Sequence, residues 1–272
     1  MGISKRFETI SGSRVAFLET TGEFPVLLVH GFFTSSYLWS ALCERHGRSF
    51  RFLAPDLVGF GDTHTPIQMD SGFERQTDFL CQFLLNRVGL RPVRVVAHAH
   101  GVIPAIMLAM QKPGLVRELV LVSPVFEGTF PGRLARPFFW AANSRLSWEL
   151  FFHSGMARAH VEHTLRRAAG SDDSVPESLL EEFWRPFANS QTARQRLRRV
   201  FLDCDAKLLA TFSRHLNHVT CPVKVIVGRQ DLLCAPEDAE RLGHRFFGGS
   251  IQVVDDTGHF LPLARPGLLA FD

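Results

Sequence analysis

The chain of 272 residues contains no apolar run approaching the roughly 18 residues that a membrane span requires. Its opening segment, MGISKRFETI, lacks the apolar stretch of a secretory signal, so the expectation is a soluble cytoplasmic protein. The five cysteines, at positions 43, 81, 204, 221 and 234, are odd in number and show neither CxxC nor Cys/His metal spacing. They read as small buried hydrophobes of a reducing compartment. No grouping of Asp, Glu and His has the spacing of a metal site, and no Gly-rich loop opens a helix in the phosphate-binding pattern. Neither a metal nor a nucleotide cofactor is expected. A formal charge of +3 with a pI near 8.7 is too mild to imply nucleic acid. The one basic cluster, Arg194, Arg196, Arg198 and Arg199, reads either as a solvated helix face or as a contact for an anionic substrate or carrier protein.

What the chain does have is apolar patterning, with hydrophobic residues making up 46% of it. That suffices for one large α/β domain or for a core domain with an insert. KRFETI and RVAFLE alternate on either side of a Gly-containing polar turn, which predicts a leading hairpin. PVLLVHG is a short apolar run closed by glycine, and the same type recurs at RFLAPD, VRVVAHA, ELVLVS, VKVIVG and IQVVDD. Such runs suit strands buried on both faces. Between them lie segments of helical period, such as Phe73 to Val88 with Phe79, Phe83 and Leu84 on one side. Strands alternating with helices predict a mostly parallel sheet covered on both faces. The alternation breaks between about Phe126 and Leu216, where Phe138, Phe139, Trp140, Trp148, Phe151, Phe152, Phe183, Trp184 and Phe187 stand in long helical stretches. This predicts a core domain of residues 1–126 and 217–272 carrying a helical cap at 127–216. Most of its aromatics are expected to pack, some to line an apolar cleft.

Chemistry gathers at strand ends. In VRVVAHAHGVIPAIMLAM (93–110) a buried strand turns sharply into a helix, with Ala97, Ala99 and Gly101 at the small-residue positions of a G-x-S-x-G elbow. The tip, Ala99, has neither oxygen nor sulfur and cannot form a covalent intermediate. Asp231 follows the strand of VIVGRQDLL and His259 follows the strand of VVDDTGHF, in the chain order nucleophile, acid, histidine. Either alone would be an ordinary loop residue; together, at strand ends and in order, they point to a reacting site. In LLVHGFFTSSYLW, His30-Gly31 closes a strand before a helix near Ser35. There Gly31 is expected to let the chain turn so that the N–H groups of Phe32 and His100 face one space as an oxyanion hole.

These stretches carry a resemblance. HG at 30–31, DLVGFGDT at 56–63, AHAHG at 97–101, GRQD at 228–231 and TGH at 257–259 look like the signature stretches of the α/β-hydrolase superfamily, over nearly the whole chain. The resemblance implies an eight-stranded core sheet with a helical lid after the sixth strand. It also implies Asp231 as the acid that orients the base, His259 as the base, and Phe32 and His100 as oxyanion donors, with His30 and Gly31 in the same loop. The departure is Ala99, where the family has serine, or aspartate in its dehalogenase and epoxide hydrolase branches.

Three readings of the alanine stand open. In the first, alanine replaces a serine in an inactivated hydrolase of a small, largely apolar ester, lactone or related acyl or carbon–carbon bond. In the second it replaces an aspartate: GFFTSSYLW resembles a haloalkane dehalogenase stretch, although His100 stands where those enzymes place tryptophan and Phe33 where HG-x-Pro has proline. In the third alanine is native, and His259 with Asp231 acts directly on water or a substrate proton in a hydrolase, lyase or cyclase without a covalent step, or the chain only binds its ligand.

Overall fold

The computed structural model describes residues 3–170 and 175–269. Residues 1–2 of the opening segment, 171–174 of the expected cap and 270–272 of the expected core lie outside that range. Strands β1 (Arg6–Ile10) and β2 (Ser13–Glu19) pair antiparallel around a two-residue turn, Ser11-Gly12. Both turn residues have positive φ, 48° and 77°, the hairpin geometry whose twist matches that of its strands.

The six apolar runs form β3 (Phe24–Val29), β4 (Phe50–Pro55), β5 (Val93–His98), β6 (Val116–Val122), β7 (Val223–Gly228) and β8 (Ser250–Val254). They join the hairpin in one eight-stranded sheet of order β1-β2-β4-β3-β5-β6-β7-β8. Pairing is antiparallel at β1–β2 and β2–β4 and parallel from β4 onward. The central strands β3, β5 and β6 are buried through their last four residues, which is why they read as continuous apolar runs rather than as alternation.

Helices α1 (Ser40–His46), α2 (Phe73–Val88) and α3 (Val102–Gln111) precede β6. Between β6 and β7 run α4 (Gly132–Ala142), α5 (Arg145–His153), α6 (Met156–Ala168), α7 (Glu177–Ala188), α8 (Gln191–Asp203) and α9 (Ala206–Ser213), with no strand among the described residues there. Then α10 (Pro236–Gly243) and α11 (Leu261–Ala264) flank β8. The bounds of α2 match the periodic segment, and Phe79, Phe83 and Leu84 are buried as its spacing requires. Among the described residues no helix is long and apolar enough to cross a membrane.

The helices between β6 and β7 are fastened to one another and to the loop after β3 through phenylalanines. Phe138 of α4 is fully buried, with its ring 4.2 Å from Phe33 and 5.5 Å from Phe201 of α8. Burial of each such ring is worth about 1.5–3 kcal/mol. Of the nine aromatics singled out between residues 138 and 187, Trp140 alone is exposed, at 74%. The arginines of α8 are spent on neighbours. Arg194 donates to the carbonyls of Phe187 and Ala188, Arg196 to Thr65, Arg198 to Ala142, and Arg199 pairs with Asp203. They splay around the helix and tie it to its surroundings, and form no common basic face.

Candidate active site

The β5–α3 junction is an elbow. Ala99 has φ 51° and is buried. An L-residue in the left-handed region costs on the order of 1–2 kcal/mol, so the surrounding chain must hold it there. The hold comes from small neighbours. A Cβ on Gly101 would collide with the His30 carbonyl oxygen, and one on Gly31 would lie 2.8 Å from Ala99 Cβ and 3.2 Å from the His98 carbonyl oxygen. Gly31 itself does not have the left-handed φ that would require glycine. What requires glycine there is the close approach of the β3 end to the tip. Phe33, where the resemblance expects proline, has φ 58°, another left-handed residue in the same loop.

Asp231 lies three residues past β7 and His259 five past β8, and the structure brings them together. His259 Nδ1 is 3.0 and 2.9 Å from the two carboxylate oxygens. The carboxylate also accepts from the N–H groups of Leu233 and Cys234, both at 2.8 Å. With its acceptor partner on Nδ1, a neutral His259 carries its proton there and leaves Nε2 free as a base. The loop is pinned from the helical side: the His259 N–H donates to the Ala168 carbonyl at 2.7 Å, at the end of α6. A Cβ on Gly258 would strike that same carbonyl, which explains the glycine of TGH.

The three other histidines around the tip are held neutral by burial, each with a ring nitrogen bonded to backbone. His30 is fully buried; Nε2 accepts from the Leu57 N–H at 2.9 Å, so Nδ1 donates to the Gly31 carbonyl at 2.7 Å. Burial pushes its pKa down to about 4. His98 Nε2 donates to the His259 carbonyl at 3.0 Å, and its ring lies 4.6 Å from that of His259. Its Nδ1 is buried without a partner, and burial holds it well below the usual range. His100 donates from Nε2 to the Pro131 carbonyl at 2.9 Å, and burial again lowers it to about 4. Phe32 stacks on His100 at 4.2 Å and on Phe60 at 5.2 Å.

Over Ala99 lies a narrow cavity with about 10 Å³ of free space, the scale of one water molecule. Phe32, His98, His100, His259 and Ala99 line it, with Thr34, Val125, Leu134, Leu165, Leu233 and Phe260. His30 and Gly31 do not; they stand behind the wall, as does Asp231. None of the nine aromatics singled out between residues 138 and 187 reaches this cavity. Cys234, beside Asp231, is no alternative nucleophile, because burial pushes its thiol far up.

A family model described as the alpha/beta hydrolase family matches residues 26–270. The chain belongs to that family. Among relatives, it is 29% identical over 255 residues to the mouse sn-1-specific diacylglycerol lipase ABHD11, covering 89% of this chain and 76% of that protein. It is 24% identical over 260 residues to the Arabidopsis thaliana probable lysophospholipase BODYGUARD 2, covering 86% of this chain. It spans about half, 54%, of that relative's length. Haloalkane dehalogenase DbeA from Bradyrhizobium elkani superimposes with a TM-score of 0.77 at 24% identity, covering 98% of this chain and 94% of the other. As an α/β-hydrolase the chain has wall residues that its motifs do not reveal. Thr34 donates to the Gly31 carbonyl at 3.0 Å, while Leu165 arrives from α6, far away in sequence. Thr34 lies within the stretch that follows His30-Gly31, whereas no local signal marks Leu165, which tertiary packing alone places.

Proposed function

We propose that this α/β-hydrolase has a site for small, largely apolar acyl substrates, esters or lactones, and that Ala99 at the nucleophile position leaves it able to bind them with little turnover. The observation that carries the reading is the strained tip at Ala99 beside a histidine whose Nδ1 is committed to Asp231. In a chain with serine at 99, His259 Nε2 takes the hydroxyl proton as oxygen attacks the carbonyl carbon, and Asp231 stabilises the resulting imidazolium. The N–H groups of Phe32 and His100 hold the oxyanion. The leaving group departs with the proton from His259, and water then hydrolyses the acyl-enzyme by the same route. The helices of residues 127–216 act as a lid, and apolar walls from Leu134, Leu165 and Leu233 fit an acyl chain. The names of the lipase and lysophospholipase relatives support an acyl ester as substrate. Loss of such a nucleophile lowers kcat on the order of 10⁶-fold while binding persists.

A second reading is favoured by the free space above Ala99, which admits one water within the wall that His259 shares. There His259 activates that water or a substrate proton without a covalent intermediate.

The test is intact mass of Ala99→Ser after treatment with a serine-directed phosphonate, beside Ala99→Ser/His259→Ala. A single adduct that depends on His259 supports the first reading. A folded protein without adduct sinks it, and Ala99→Asp with alkyl halides then tests the aspartate alternative. Turnover by the Ala99 chain that vanishes in His259→Ala supports the second.

A further inference from the structure

Four large apolar side chains stand open to solvent within seventeen residues: Trp140 at 74% exposure, Leu146 at 70%, Leu150 at 59% and Met156 at 57%. They belong to α4, α5 and the first residue of α6, helices that pack on one another in sequence. On α5, Leu146 and Leu150 share a face at four-residue spacing; on α4, Arg133, Arg136 and Trp140 form one exposed stripe at spacings of three and four. Residues 128–148 contain three arginines, 133, 136 and 145, and no Asp or Glu. Among the described residues none of the three arginines has an ion-pair or hydrogen-bond partner, whereas Arg158, Arg166 and Arg185 on α6 and α7 are each held by a glutamate. Glu149, the one acid of α5, is taken up by Gln195 of α8.

We propose that the α4–α5 face docks on an anionic lipid bilayer. Trp140, Leu146 and Leu150 enter the boundary between headgroups and acyl chains, and the unpaired arginines meet lipid phosphates. Charge complementarity selects this occupant: exposed tryptophan and leucine beside arginines free of carboxylates are what a negatively charged interface binds. The face is also continuous with the candidate site, because Arg133 lines the cavity over Ala99. Docking therefore sets one wall of that cavity at the lipid surface. The proposal goes beyond the acyl-hydrolase reading and does not depend on turnover.

Tryptophan emission tests it, because Trp39, Trp148 and Trp184 are buried and Trp140 alone is exposed. The chain is titrated with vesicles of phosphatidylcholine alone and of phosphatidylcholine with phosphatidylglycerol in equal parts, with co-sedimentation in parallel. The expected result is co-sedimentation and a blue shift with the anionic vesicles only. In Trp140→Phe the shift disappears while sedimentation largely persists. Arg133→Gln/Arg136→Gln should lower partitioning about 25-fold, at about fivefold for each arginine near the surface. Leu146→Ser/Leu150→Ser should lower it by roughly tenfold or more. All these side chains are exposed, and an unchanged circular dichroism spectrum checks that the fold is kept. No sedimentation with anionic vesicles overturns the proposal. So does equal binding to both vesicles, or binding with unmoved emission and indifferent arginine variants.

Discussion

If Gly31 is present because the tip of the elbow lies against it, then the cost of a methyl group at 31 must depend on the methyl group at 99. In Gly31→Ala the new carbon would sit 2.8 Å from Ala99 Cβ, against an optimal carbon–carbon separation of about 3.5–4.0 Å. Overpacking of this kind costs about 1–3 kcal/mol. Ala99→Gly alone should be nearly neutral. It relieves a left-handed residue worth about 1–2 kcal/mol, but loses a buried methyl worth about 0.8 kcal/mol and adds unfolded-chain entropy worth about 0.4–1 kcal/mol. In the double variant the nearest remaining neighbour of the new methyl is the His98 carbonyl oxygen at 3.2 Å, a contact that small adjustments absorb. A coupling of about 1–2 kcal/mol between the two sites follows. At about 2–4 °C per kcal/mol for a chain of this size, Gly31→Ala should lower Tm by about 2–12 °C, and the same substitution made in Ala99→Gly by about 2–8 °C less. Gly101→Ala serves as the control, since its clash is with the His30 backbone and Ala99→Gly cannot relieve it. Equal losses for Gly31→Ala in both backgrounds would refute the close-approach argument and return Gly31 to a role in chain flexibility.

Other expectations follow from the same geometry. Asp56 is fully buried, accepts from the N–H groups of Ser36 and Asp62 at 2.8 and 2.7 Å, and pairs with Lys5 at 2.8 Å. Asp56→Ala leaves Lys5 to Asp62 alone, at 2.9 Å, and strips the acceptor from two backbone N–H groups, so it should cost about 2–5 kcal/mol in urea unfolding; a loss under 1 kcal/mol would show that these contacts are dispensable. His30 and His100 both fall from 6.5 to about 4 on burial, so the unfolded chain binds more protons between those values. Stability should be full above pH 6.5 and decline as pH falls toward 4, by on the order of 3 kcal/mol for each group. Urea midpoints across that range check this, and His100→Gln should flatten the slope. In the Ala99→Ser background, Asp231→Asn should slow phosphonate labelling about 10⁴-fold, because amide nitrogen in place of carboxylate favours the wrong tautomer of His259. Labelling unchanged by that substitution would remove Asp231 from the relay.

The sheet was legible because parallel strands buried on both faces must be continuous apolar runs, and each of the six runs became a strand. The hairpin was legible from one glycine in a polar turn. Strand-end placement also pointed to Asp231 and His259, which the fold brings into hydrogen-bond contact. Contacts between distant segments could not be read. His30 looked like a wall residue from its place beside Gly31, but its two nitrogens serve the Gly31 and Leu57 backbones, a pairing that exists only once β3 and the loop after β4 are adjacent. The arginine run of α8 was ambiguous for the same reason, since the carbonyls it satisfies lie up to 131 residues away in sequence. Nor does composition show that Phe32 stacks flat on His100, which leaves the cavity so narrow.

The positive φ of Ala99 persists with a methyl group as its only side chain. The bend is therefore a property of the frame, set by Gly31, Gly101 and the ends of two strands, and owes nothing to a reactive group at its apex. Position 99 is in that sense an interchangeable socket. One codon decides whether the apex carries an oxygen nucleophile, a carboxylate or none. A change at that one position can alter what the apex presents while the bend beneath it is held by glycines elsewhere in the chain.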